Sequence, residues 1–373
     1  MSDRTARAVA FEALRRVEEG AYANLVLPPL LERSGLPDRD RHLVTELVYG
    51  TTRMRRACDF VLEPLFRREV EADVRTALRM GVYQLVFLGT PPHAAVSTTV
   101  DVAPARARGF VNAVLRRVTE AGRPRWPNPA TELSYPDWVV ERLVAELGEH
   151  DAMAALRRMN VPTPPHRRAD GYVQDPASPW VAESVDAGAT DVVVDICAAP
   201  GGKATWMAHE AARVVAGDVR ASRAGLIAAN AKRTHVGNVD VVAMDGRASS
   251  LRDECATRVL VDAPCSGIGV FGRRPDARWR VLPDAIDQLS ALQRGILGDA
   301  VRLLAPTGVL VYSVCTLTNA ETLDVDAWLA AAHPHLEAVP PPGDPWRPHG
   351  RGALLLPQAA GTDGMYVLRL RRP

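Results

Sequence analysis

Through roughly the first third of the chain, apolar residues recur three and four positions apart. Between Arg4 and Glu19 they are Ala6, Val9, Ala10, Ala13, Leu14 and Val17, one face of an amphipathic helix. Leu25 to Leu31, Arg39 to Tyr49, Arg56 to Phe66 and Val70 to Leu88 continue the pattern, with Asp38 placed to cap the second of these. Pro91 and Pro92 break it, and Ala95 to Val102 and Phe110 to Val118 close the region. Helical stripes joined by short connections predict an all-α bundle over residues 1–126.

From Trp126 the pattern fails. Pro127, Pro129, Pro136, Pro162, Pro164 and Pro165 punctuate a connector over residues 127–172, with room for helices at Asp137 to Leu147 and Asp151 to Met159. From Val173 the period changes to alternating strand and helix. Strands are predicted at Asp191 to Ile196, Arg213 to Val219, Val239 to Met244, Arg258 to Val261, Val309 to Val314 and Gly364 to Leu370. Helices fall between them at Lys203 to Glu210, Ser222 to Thr234, Asp284 to Leu304 and Asn319 to Ala332. Residues 173–373 therefore read as an α/β domain, a doubly wound Rossmann-like and mostly parallel sheet whose ligands sit at the strands' carboxyl ends. Val339 to Pro348 reads only as a proline-rich tract.

Composition changes little. The 373 residues are 47% hydrophobic and 24% charged, ordinary for a globular protein, with a net charge of +1. No apolar run approaches the ~18 residues of a membrane span, and the N-terminus shows no signal-peptide pattern. Five cysteines without C-x-x-C spacing argue against a disulfide framework or a zinc ribbon, and nine histidines show no metal-ligand spacing. The expected location is cytoplasmic. Charge is uneven: Arg53, Arg55 and Arg56 form one cluster, and Arg106, Arg108, Arg116, Arg117, Arg123 and Arg125 another. Each reads either as a solvated helix face or as a patch for RNA.

The chemistry lies at the strand ends. Asp191 to Lys203, D-V-V-V-D-I-C-A-A-P-G-G-K, is a buried strand, a tight glycine turn and a helix start, an arrangement that brings backbone N–H groups to a ligand. Asp195, Asp218, Asp245 and Asp262 end successive strands. An acid at the second strand's end suits ribose hydroxyls, and Asp245 stands where a base would be met. The fuller glycine turn of a diphosphate site is missing, so a phosphate-free adenosine cofactor, S-adenosylmethionine, fits better. Lys203 and Lys232 are the only lysines in an arginine-rich chain. Cys58, Cys197 and Cys255 read as small buried hydrophobes. Cys265, in Pro264-Cys265-Ser266-Gly267, and Cys315 leave neighbouring strands at one edge. Two thiols beside a methyl donor point to covalent catalysis.

D-I-C-A-A-P-G-G-K, V-D-A-P-C-S-G-I-G-V with R-R-P-D-A-R-W, and Y-S-V-C-T resemble the Sun (Fmu) family of RNA cytosine-C5 methyltransferases. R-D-R-H-L-V-T-E-L-V-Y-G and G-F-V-N-A-V-L-R-R resemble the antitermination factor NusB. The pairing is similar to bacterial enzymes that methylate small-subunit (16S) ribosomal RNA. The resemblance implies Cys197, Ala198, Ala199, Pro200, Gly201, Gly202 and Lys203 as the S-adenosylmethionine loop. It implies Asp218, Asp245 and Asp262 as further cofactor or base contacts, Cys315 as nucleophile and Cys265 as the helper of product release. Partners are then ribosomal RNA and no membrane, and the protein is expected to be a monomer.

Two features depart from the family. Val314 stands where a threonine is usual, with Thr316 after the nucleophile. The stretch Pro162 to Tyr172 leaves no room for the small α+β module of related enzymes. Two rivals remain: an RNA-binding regulator with a degenerate methyltransferase domain, and a DNA cytosine methyltransferase, in which the Pro-Cys cysteine attacks and Cys315 has no role.

Overall fold

The structure, a computed structural model, describes residues 5–164 and 166–373. Arg4, the expected start of the first helix, and Pro165 of the connector lie outside the described residues. The chain forms two compact units: residues 1–141 with Arg274–Arg280, and residues 142–273 with 281–373.

The described residues of the first unit form helices and their connections, with no strand among them. Its main helices are Ala6–Glu18, Ala23–Glu32, Asp38–Arg53, Arg55–Leu62, Ala72–Val82, Pro92–Val102 and Arg108–Ala121. The stripe of Ala6, Val9, Ala10, Ala13 and Leu14 faces a core shared with Leu47, Leu62, Leu78 and Leu115. Each such leucine contributes about 1.5–3 kcal/mol by leaving water. Thr5 caps the first helix by accepting from the Ala8 N–H. Asp38 is already the first helical residue, after Pro37, and makes no cap. Val70 to Leu88 is not one helix: after Val82 the backbone widens into a π-helical turn, Tyr83–Phe87. There the buried Gln84 amide bonds the Met80 carbonyl and Thr99.

The arginines Arg53, Arg55 and Arg56 do not form an open patch. Arg53 is buried, Arg55 pairs with Glu18, and Arg56 binds the Tyr135 carbonyl and Asp137. They are structural because each is drawn into the fold or to an internal acceptor. Arg274–Arg280 completes the same unit. Arg278 is fully buried, its guanidinium 3.9 Å over the Tyr135 ring, and Trp279 donates to the Thr52 carbonyl at 2.7 Å.

The second unit begins with a two-stranded antiparallel pair, β1 (His166–Arg167) and β2 (Val173–Gln174). A nine-stranded sheet follows: β3 (Val192–Asp195), β4 (Arg213–Asp218), β5 (Val239–Ala243), β6 (Ala256–Asp262), β7 (Leu304–Val314), β8 (Glu337–Ala338), β9 (Arg347–His349), β10 (Gly352–Leu355) and β11 (Met365–Arg371). The order is β5-β4-β3-β6-β7-β11-β10-β9, with β8 beside β11. The first five strands are parallel and the rest antiparallel. β8, β9 and β10 lie in or beside the proline-rich tract and show no period. They are two to four residues long, too short to print one.

Topology sets the site. The chain runs outward from β3 to β4 and β5, then returns to β6 on the other side of β3. That reversal opens a crevice beyond the strands' carboxyl ends. β3 and β6 are paired with Asp195 beside Leu260, and β6 and β7 with Asp262 beside Ser313. The loops carrying Cys265 and Cys315 therefore leave adjacent strands at one level.

Candidate active site

β3 is a run of valines because it is central, with Val193 and Val194 almost fully buried. It ends at Asp195, only 1% exposed. Neither Asp195 carboxyl oxygen has a hydrogen-bond partner of ordinary geometry. Burial first, then the Asp262 charge, pushes its pKa up to about 8; Lys203 and the Cys197 amide offset this in part. A carboxyl buried at a strand end without such a hydrogen-bond partner is free to meet a polar group of a ligand.

The glycine turn follows. Ala198 N–H bonds the Gly217 carbonyl at 2.8 Å, tying the turn to the end of β4. Gly201 has φ +103°, and a Cβ there would stand 3.1 Å from the Ile227 backbone. A Cβ on Gly202 would stand 2.5 Å from Gln174 Oε1. The helix is short, Gly202–Met207 rather than reaching Glu210. Arg168 holds the turn from beneath: it donates to the Gly202 carbonyl at 2.7 Å and lies over the Tyr172 and Trp206 rings. It fell in the connector, where nothing local distinguishes it from a solvated arginine. From the helix Ala221–Arg233, Arg223 donates to the Ala199 carbonyl and Asn230 to that of Pro200.

The other acids differ in surroundings. Asp218 is buried; Oδ1 accepts the Arg220 N–H and Oδ2 accepts Arg223 Nε, at 3.0 and 2.9 Å. A carboxylate has about four acceptor positions, so two remain. Asp245 follows the edge strand β5 with its side chain open to solvent; Arg247 clamps it and holds its pKa down to about 2. Asp262 accepts from Lys203 Nζ at 2.6 Å, with the lysine side chain 11% exposed. That carboxylate holds the Lys203 ammonium more firmly protonated than usual, against the cost of burial. Asp218, Asp262, Lys203 and Cys197 all lie within electrostatic reach of Asp195.

Cys265 and Cys315 are both partly buried free thiols, their sulfurs 3.3 Å apart. The bond between them lowers Cys315 below its ordinary pKa; burial and the Asp262 and Asp363 charges oppose this, while Lys203 assists. The same bond raises Cys265 well above its ordinary value, followed by burial and the charges of Cys315 and Glu321. The two shifts run in opposite directions, so of the pair Cys315 is the thiol that gives up a proton more readily. Burial raises Cys58 and Cys197, and desolvation does the same for Cys255. Beneath both loops, Glu321 receives Ser266, Thr316, Thr318 and Gln293. Its only local signal is Thr318-x-x-Glu321, which reads as a capping box.

The donor set fits S-adenosylmethionine. Asp195 offers a buried carboxyl, Asp218 has spare acceptor positions, and the glycine turn brings backbone close. The "16S rRNA methyltransferase RsmB/F" family model matches residues 184–371, and the "NusB family" model residues 4–120. The chain belongs to the RsmB/F family of 16S rRNA methyltransferases. It is 35% identical to the ribosomal RNA small subunit methyltransferase B of Thermus thermophilus, over 99% of this chain and 98% of that one. It is 29% identical to the enzyme of that name from Klebsiella pneumoniae, over 98% and 97%. The crystal structure of PH0851 shares the fold, with a TM-score of 0.81 at 22% identity, covering 100% of this chain and 99% of that one. This RsmB/F protein is an RNA methyltransferase with S-adenosylmethionine as its cofactor. No helix among the described residues is long and apolar enough to cross a membrane.

Proposed function

We propose that this protein methylates C5 of a cytosine in small-subunit ribosomal RNA through a covalent cysteine adduct. The observation that carries the reading is the thiol pair, polarised in opposite directions at 3.3 Å beside Lys203 and Asp262. Cytosine C5 is a weak nucleophile until a thiolate adds to C6. Cys315, the lowered thiol, makes that bond, and electron density passes to C5. S-adenosylmethionine, when bound, would supply a sulfonium methyl group to the activated C5 and leave as S-adenosylhomocysteine. Cys265, the helper of product release, first yields its own proton to solvent; as a thiolate it takes the C5 proton, and the electrons of that C–H bond re-form the C5–C6 double bond and expel the Cys315 thiolate. Asp262 accepts from the base's exocyclic amine. The base must leave its stack to be reached.

On this reading the turn Cys197 to Lys203 holds the cofactor, Asp218 takes its ribose and Asp245 lies toward the adenine. Asp218→Ala should weaken S-adenosylmethionine binding roughly 10- to 150-fold, the loss of about 1.5–3 kcal/mol from a charge-assisted hydrogen bond. Calorimetric titration measures it; unchanged affinity removes Asp218 from the site.

Residues 1–126 serve as the RNA-binding domain, 127–172 as connector and 173–373 as catalytic domain, apart from the Arg274–Arg280 segment that joins the helical unit. Arg108, Arg116, Arg117, Arg123 and Arg125 are exposed, whereas Arg106 is paired with Glu71 and Asp73. Replacing Arg108, Arg116 and Arg117 with alanine should lower the salt slope of RNA affinity by roughly 0.7–0.9 for each phosphate no longer neutralised. An unchanged slope makes the cluster a solvated face. The function itself is tested by mapping 5-methylcytidine in 16S rRNA from cells with and without this protein. Identical maps would remove it.

A further inference from the structure

We propose that Glu321 is a positioning residue that sets the approach of the two thiols by clasping the residue after each of them. The proposal rests on the covalent reading above and deepens it. Glu321 is fully buried. Among the described residues no arginine, lysine or histidine pairs with it. A buried carboxyl without a cation is costly unless donors surround it. Here they do. Oε1 accepts the Ser266 N–H at 2.8 Å and Gln293 Nε2 at 3.1 Å. Oε2 lies 2.5 Å from Ser266 Oγ, 3.0 Å from Thr316 Oγ1 and 2.9 Å from Thr318 Oγ1.

The placement of those donors makes this more than a satisfied core acid. Ser266 follows Cys265, and Thr316 follows Cys315. Their hydroxyls also meet each other at 2.7 Å. Gln293 spends its second N–H on the carbonyl of Pro264, the residue before Cys265. The Tyr312 hydroxyl, three residues before Cys315, meets both Gln293 Oε1 and the Glu321 carbonyl, at 3.0 and 2.7 Å. One side chain thus fixes both loops within one residue of each sulfur. Thr316 supplies the hydroxyl this needs.

A sulfur–sulfur hydrogen bond tolerates little displacement, and a reactive geometry lost by ~1 Å can cost about 100-fold in rate. Glu321 also faces the Cys265 side of the pair and favours its proton, whereas Cys315 faces Lys203, Asp262, Asp363 and Cys265. The clasp therefore maintains the contrast between a proton-holding and a proton-losing thiol without touching the base.

The test uses the full chain and needs no knowledge of the target nucleotide. Alkylation of Cys315 and Cys265 by iodoacetamide, followed by peptide mass spectrometry across a pH series, gives each thiol's midpoint. In Glu321→Gln the Cys315 midpoint should rise and the Cys265 midpoint fall, closing the gap by about 1 pH unit, a tenfold change in thiolate fraction. Methyl transfer to 16S rRNA should fall at least tenfold in kcat with KM for S-adenosylmethionine within about twofold. A folded Glu321→Gln with wild-type midpoints, or one that loses only thermal stability, overturns the proposal. Should that variant not fold, Ser266→Ala carries the same measurement: converging midpoints support the clasp, unchanged ones overturn it. If the wild type shows separated midpoints yet adds no methyl to cytosine C5, the covalent reading fails while the clasp stands or falls on the alkylation alone.

Discussion

Cys315→Ala is expected to abolish methyl transfer and to form no covalent RNA adduct, while Cys265→Ala is expected to accumulate one. Position alone does not divide the roles, because both thiols stand 3.3 Å apart at one sheet edge. The family resemblance implies attack by Cys315 and release by Cys265, and the direction of each thiol's shift supports that division. The Cys315 side of the pair is the lowered one, and Lys203 favours its thiolate. The hydrogen bond to Cys315, burial and nearby negative charge push Cys265 well above its ordinary value. Removing Cys315 deletes the bond to C6 and should cost at least ~10⁴-fold in rate, as loss of an obligatory nucleophile does. Removing Cys265 deletes the hydrogen bond that lowers Cys315, so attack slows. It deletes elimination altogether, so whatever attacks stays attached. Denaturing gels of each variant incubated with 16S rRNA and S-adenosylmethionine separate the cases. A retarded band from Cys315→Ala with none from Cys265→Ala would reverse the roles and give the pattern of the DNA enzymes.

What was legible in the sequence was local. The glycine turn, the Pro-Cys loop and the Val-Cys-Thr loop each sit in a short window of small or reactive residues that stands out from the valine runs before it. The parallel strands announce themselves through valine runs, and their acids fall where those runs stop. What stayed hidden needed a partner distant in sequence. Glu321 reads as a helix cap because Thr318 is its nearest donor, while Ser266 and Gln293 lie 55 and 28 residues away. Arg168 reads as a connector arginine until Gly202, Tyr172 and Trp206 surround it. Arg53, Arg55 and Arg56 look like an RNA patch because a sequence displays charge but not its acceptors. Asp195 was visible as a strand end; that its carboxyl oxygens go unpaired is visible only in three dimensions.

That unpaired acid gives the second large expected effect, in Lys203→Met. Lys203 acts on both Asp262 and Asp195. Breaking a buried pair from one side costs about 3–5 kcal/mol. The Asp262 side chain is 28% exposed, so roughly 2–4 kcal/mol is the fairer figure after screening. For a domain of this size that is a fall on the order of 5–15 °C in melting midpoint. The sign with pH follows from Asp195. Its folded pKa, about 8, lies above the ordinary 3.8. Between these values the folded state keeps a proton the unfolded state has released, so stability falls as pH rises and levels off above about 8. Lys203 does not titrate there: its pKa is raised from 10.5, so its stabilisation is complete below that value. Without the lysine charge the neutral form of Asp195 is favoured further, and the fall continues to higher pH. Lys203→Met should therefore lose more against wild type at about pH 9 than at about pH 6. Adding Asp195→Asn to it should remove most of that extra loss, since the amide has nothing to ionise. Melting curves of the three proteins at both pH values decide it. A Lys203→Met deficit equal at the two pH values, or one that Asp195→Asn leaves unchanged, would mean that Lys203 serves Asp262 alone.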